Sequence, residues 1–111
     1  GKIYHAGNPF DIGKDGADDP QSWEYKFNDC GVDKTEQLKD VTFYSAPVKT
    51  SLGSSTCGYE SPSPDRQITD SIGADAVIRL LKENKDKPFF IAYGLYRPHV
   101  PWIVPKPYDD R

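Results

Sequence analysis

One stretch governs what this chain can fold into: DRQITDSIGADAVIRLLKENKDK at 65–87, then Pro88, then FFIAYGL at 89–95. Ile68, Ile72, Ala76 and Leu80 recur every four residues, and Val77 and Leu81 widen the stripe, the spacing of an amphipathic helix. Thr69 or Asp70 is a candidate N-cap, and Lys82, Lys85 and Lys87 fall near the C-terminus, where the helix dipole favours cations. Gly73 weakens the first turn and Pro88 ends the helix. FFIAYGL is apolar apart from the hydroxyl of Tyr93, which suits a strand covered on both faces. A helix feeding directly into such a strand is half of an α/β unit. One helix and one strand cannot cover each other's faces, so the missing neighbours must come from elsewhere. The chain reads as a piece of a larger α/β protein.

The rest of the sequence agrees with that expectation. GKIYHAG at 1–7 reads as a strand end running into a glycine turn, broken by Gly7-Asn8-Pro9. From 8 to 64 the chain is rich in Gly, Asp, Ser and Pro, with VTFYSAPV at 41–48 as its one plausible short strand. So long a stretch with so little regular structure is uncommon in a compact domain, and predicts a functional loop or an insertion draped over a larger body. The sequence has 111 residues, enough for one small domain, holds no methionine, and both ends read as cut.

Composition narrows the partners. Net charge is −3 and 28% of residues are charged, which gives no footing for binding nucleic acid or an anionic membrane. No apolar run is long enough to span a bilayer. Cys30 and Cys57 sit in no CxxC or metal-ligand cluster. A bridge between them would staple a segment poor in core residues, contributing about 3–4 kcal/mol by restricting the unfolded chain. That bridge, and with it an oxidising compartment, is the favoured reading; two free thiols in a cytosolic protein is the alternative. The carboxylates of GADDP at 16–20 lack the alternating spacing of a calcium loop, and read as a solvated turn.

The residues with chemical potential sit at strand ends. In parallel α/β sheets ligands bind beyond the carboxyl ends of the strands, and His99 lies four residues after 89–95. Pro98 and Pro101 stiffen its loop, RPHVP, which is how a preorganised site would aim one imidazole. His5, three residues after Lys2, also follows a strand end, and an ammonium beside an imidazole suits an anion or a developing negative charge. A lone loop histidine is more often a packed, hydrogen-bonded group than a functional one. Arg97, Tyr96 and Trp102 could touch a ligand, but covering the strand edge is the simpler role for them.

Taken together, GKIYHAG, the Ser22-Trp23 pair, PDRQITD and KPFFIAYGLYRPHVPW resemble the central part of a type I sulfatase, most similar to the iduronate-2-sulfatase branch. The resemblance is good at both ends of the chain and poor over 24–60. It implies part of an alkaline-phosphatase-like α/β fold: one long helix, a buried sheet strand and a loop-rich insertion. The domain reading is a partial catalytic domain over 1–111, with a Lys/His motif at 1–7, the insertion at 8–64, the helix at 65–87, and the strand with its active-site loop at 88–111. It further implies a hydrolase of sulfate esters, a sulfuric ester hydrolase acting on a sulfated sugar or glycosaminoglycan. The implied nucleophile is a formylglycine made within a C/S-x-P-x-R motif, and the implied cofactor is a calcium ion that holds the sulfate. Lys2 and His5 match the lysine and histidine around the formylglycine and sulfate oxygens. His99 matches the histidine that binds sulfate near the leaving oxygen, and Arg97 stands where many relatives carry lysine, a weak substrate contact. A disulfide in the corresponding insertion also follows from the resemblance, and the oxidising compartment that such a bridge needs is read as a secreted, periplasmic or lysosomal setting.

The departures matter as much. Neither CGVDK at 30–34 nor CGYES at 57–61 fits C-x-P-x-R, and the aspartates that hold calcium have no counterpart. The nucleophile, the metal ligands and the remainder of the catalytic chain are expected outside these 111 residues, so the fragment alone is expected to be inactive. Two rivals stay open. One is a phosphatase or phosphodiesterase of the same superfamily; the other is a relative that binds sulfated glycans without cleaving them.

Overall fold

The computed structural model describes residues 2–5, 7, 9–15, 18–44 and 52–109. In chain order the elements are a short helix α1 (Asp33–Glu36), strand β1 (Thr42–Phe43), strand β2 (Cys57–Ser61), a single 3₁₀ turn (Asp65–Gln67), helix α2 (Thr69–Asn84), strand β3 (Trp102–Pro105) and a terminal turn of helix α3 (Lys106–Asp109). The three strands form one sheet in the order β1-β2-β3. β1 runs antiparallel to β2, with Phe43 opposite Cys57, and β2 runs parallel to β3, with Gly58 opposite Trp102 and Ser61 opposite Pro105. The fold is therefore mixed α/β, as expected; β1 falls within the short strand expected at 41–48, whereas β2 and β3 come from segments that sequence reasoning assigned to loops.

Helix α2 is where the hydrophobic period put it, inside 65–87. Its capping differs. No side chain of its own closes the N-terminus; instead Asp33 Oδ1, on α1, accepts the Thr69 N–H at 2.8 Å and the Thr69 hydroxyl at 2.6 Å. The orphan donors of a helix start are thus satisfied by a tertiary partner. Within the helix only Thr69 and Gly73 are buried, while Ile78 and Leu81 are about half exposed.

Residues 89–95 depart most from expectation. They form no strand, and Phe89, Phe90 and Leu95 are 48%, 80% and 55% exposed. A strand needs neighbours for its backbone polar groups. Among the described residues one bond of that kind is present, from the Lys2 N–H to the Gly94 carbonyl at 2.7 Å. The apolar run is extended chain without a sheet around it. Likewise 2–5 forms no strand.

Strand β3 runs through a proline-rich stretch. Proline cannot donate to a ladder, which confines it to edges and strand ends. β3 is an edge strand of its sheet and Pro105 is its last residue. The small core gathers Ile12, Cys57, Ile68, Tyr96 and Ile103. The Cα radius of gyration is 15.5 Å, against about 13 Å for a compact chain of ~100 residues. The 8–64 segment is more than a drape: it contributes Ile12, Asp29 and Asp33 to the interior, although 45–48 of the expected 41–48 strand lie outside the described residues.

The expected Cys30–Cys57 bridge is absent. Both thiols are free, Cys30 exposed and Cys57 buried. Each is held in a different place. Cys57 sits in the central strand with its Sγ 3.6 Å from the Leu52 carbonyl, whereas Cys30 flanks Gly13 and Gly31. The argument for an oxidising compartment from a disulfide goes with it.

Candidate functional site

The site is built around the first turn of α2. Asp70, the second residue of that helix, accepts the backbone N–H of Tyr96 at 2.8 Å through Oδ1 and that of Arg97 at 3.0 Å through Oδ2. These bonds hold the base of the RPHVP loop. A turn follows, in which the His99 N–H donates to the Tyr96 carbonyl at 3.0 Å. The Arg97–Pro98 and Val100–Pro101 peptide bonds are both cis.

Arg97 closes the loop from its other side. Its guanidinium donates to the carbonyls of Pro101 at 2.8 Å and His99 at 3.3 Å, and forms a 2.9 Å ion pair with Asp33. Both partners are sheltered, Arg97 15% exposed and Asp33 1%. Burial lowers the guanidinium pKa, against the opposing pull of Asp33. Arg97, expected as a weak substrate contact, therefore points inward and spends its charge on Asp33.

The imidazole of His99 is oriented by its own loop. Nδ1 lies 2.7 Å from the Val100 carbonyl. A carbonyl oxygen only accepts, so Nδ1 carries the proton of this hydrogen bond. His5 comes to meet it, with ring centroids 6.4 Å apart and planes tilted by 49°. This meeting follows from the Lys2–Gly94 bond, since His5 lies three residues past Lys2 and His99 five past Gly94. The approach is so close that a Cβ on Gly94 would lie 1.9 Å from the Lys2 carbonyl oxygen. Only glycine fits there.

Lys2 joins this group through its backbone, and the residue also lines a cleft of about 640 Å³ along α2. Tyr4, Trp23, Phe90 and Tyr93 also line that cleft, and Trp23 stacks on Phe90 at 6.2 Å. Neither histidine opens into it. Tyr96 is buried, and burial, with Asp29 and Asp70 nearby, pushes its hydroxyl pKa up to about 12. Trp102 stacks on Tyr44 at 6.2 Å, on the sheet rather than at the histidines.

Among the described residues no group of three or more His, Cys, Asp or Glu side chains could hold a metal ion. Asp19 instead closes a turn onto the Gln21 N–H and the Ser22 hydroxyl, and Asp18 pairs with Lys26 at 3.4 Å. Of the expected site residues, His5 and His99 are brought together, Lys2 lies alongside, and Arg97 is turned away. Asp33 and Asp70, which hold the loop, were not anticipated as site residues. No local pattern separates a helix-start aspartate that caps its own helix from one that binds the next loop.

The sulfatases are the class that this chain resembles. Over 98% of its length it is 29% identical to iduronate 2-sulfatase of Mus musculus, and equally so to iduronate 2-sulfatase of Homo sapiens. The chain spans 19% of the length of these curated relatives, consistent with a fragment of a sulfatase. No protein-family model and no solved structure matches it. No helix among the described residues is long and apolar enough to cross a membrane.

Proposed function

We propose that this chain forms one wall of the sulfate pocket in a sulfuric ester hydrolase acting on a sulfated carbohydrate. The observation that carries the reading is the meeting of His5 and His99 at 6.4 Å beside Lys2, the three positions that match the sulfatase pattern. In this reading the Lys2 ammonium and the His5 imidazole face sulfate oxygens, and an ammonium balances their charge. His99, protonated at Nε2, gives that proton to the leaving alcohol oxygen as the sulfur–oxygen bond breaks and its electron pair stays on the alcohol. The oxygen that attacks sulfur, proposed to belong to a formylglycine, and the calcium ion lie in the rest of the parent chain, because the residues here fit neither. A secreted, periplasmic or lysosomal setting is proposed on the resemblance alone. The test is hydrolysis of 4-nitrophenyl sulfate and a sugar sulfate by the full-length protein. Loss of about 10² or more in kcat for the sugar sulfate on His99→Ala is expected. Unchanged turnover in that variant, or hydrolysis of phosphate esters in place of sulfate esters, would overturn the reading.

A further inference from the structure

We infer that Asp70 is a positioning residue for His99, acting through the backbone of the RPHVP loop; the inference rests on His99 being the proton donor proposed above. Pro98 and Pro101 have no N–H, so the loop has few backbone donors with which to be fixed. Asp70 takes two of them, Tyr96 and Arg97, one on each carboxylate oxygen at 2.8 and 3.0 Å. A third, the N–H of His99, folds back onto the Tyr96 carbonyl, so the histidine hangs from the residue that Asp70 grips. The second clamp converges on the same helical turn. Arg97 holds the carbonyls of His99 and Pro101 and is anchored by Asp33, and Asp33 also binds the N–H and hydroxyl of Thr69, the neighbour of Asp70. An acidic side chain in the first turn of a helix is ordinarily read as dipole compensation. Here both of its oxygens are spent on a different segment, in a bidentate geometry that fixes direction as well as distance. The Tyr93 hydroxyl adds a bond to the Asp70 carbonyl at 2.5 Å, so backbone and side chain of Asp70 face the same stretch of chain.

A residue that merely stabilises the fold and one that aims a proton donor differ in leaving-group dependence. Proton donation matters most when the departing alcohol is a poor leaving group, and little for 4-nitrophenol. The experiment compares Asp70→Ala and Asp70→Asn with His99→Ala in the full-length protein, measuring kcat for 4-nitrophenyl sulfate and for a simple alkyl sulfate, each corrected for the folded fraction. In Asp70→Ala the alkyl ester is expected to lose about 10-fold more than the aryl ester, within the ~10²-fold range of general-acid catalysis. Asp70→Asn keeps one acceptor oxygen and should fall between wild type and alanine. Equal loss on both esters, or no loss, would make Asp70 structural only and overturn the inference. So would failure of both variants to fold. If His99→Ala itself lowers both esters equally, the proton-donor reading fails and takes the inference with it. If His99→Ala discriminates and the Asp70 variants do not, the inference alone fails.

Discussion

Asp33 and Arg97, 64 positions apart, form a 2.9 Å ion pair in which the carboxylate is almost wholly enclosed and the guanidinium nearly so. Desolvating such a pair is expensive, but removing one member is worse, because the other charge stays buried without its partner. Asp33→Ala is therefore expected to destabilise the full-length protein by about 3–5 kcal/mol in urea unfolding. Combining Asp33→Leu with Arg97→Met should cost less than the sum of the two single changes. Additive losses would show that the two charges do not depend on each other.

Gly94 is the point where the opening segment touches the run before RPHVP. Gly94→Ala places a methyl group against the Lys2 carbonyl, where there is no room. The expected cost is about 1–3 kcal/mol, typical of overpacking, together with separation of His5 from His99. Histidine side-chain NMR of the full-length protein would detect it: the nuclear Overhauser contact expected between the two rings should disappear. A ring-to-ring contact that persists unchanged in the variant would contradict the link between that backbone contact and the pairing of the rings.

The thiols give a prediction that depends on pH. Burial pushes the Cys57 thiol pKa above its usual value, so its thiolate is scarcer in the folded protein than in the unfolded chain. Folding favours the neutral thiol; this contribution is fully present below the ordinary thiol pKa and fades as pH rises through the raised one. Native protein near neutral pH should accept a thiol reagent at exposed Cys30 first, and at Cys57 only after unfolding. Intact mass should be the same before and after reduction. A two-dalton gain on reduction would restore the bridge.

The isolated 111-residue chain should not hydrolyse an aryl sulfate at a rate above that of the uncatalysed reaction. It has cysteines in CGVDK and CGYES contexts only, and no metal-binding cluster among its described residues. Turnover that co-purifies with the chain and disappears in His99→Ala would mean that it carries a nucleophile of its own.

Local periodicity and motif order made part of this legible. The four-residue recurrence of Ile68, Ile72, Ala76 and Leu80 located α2, because a helix depends on spacing within one segment. His5 and His99 stood out because the two histidines of the chain both follow candidate strand ends, and Lys2 because it stands three residues before His5. What stayed hidden depended on partners far along the chain. FFIAYGL has the composition of a strand, yet composition cannot supply the neighbours that would make it one. CGYES and WIVP look like loop sequence, and become strands because each pairs with the other. Arg97 offered a positive charge beside the histidine, but its direction was decided by Asp33 in a segment read as insertion.

The exposed run at 89–95 has a practical consequence. Phe89, Phe90 and Leu95 lie on extended chain outside any sheet, seven residues with no charge and no proline. That is the composition that self-associates by pairing edge to edge between copies. Produced alone, the polypeptide is expected to be driven towards insoluble material by these residues, and a loss of soluble protein as concentration rises would show it.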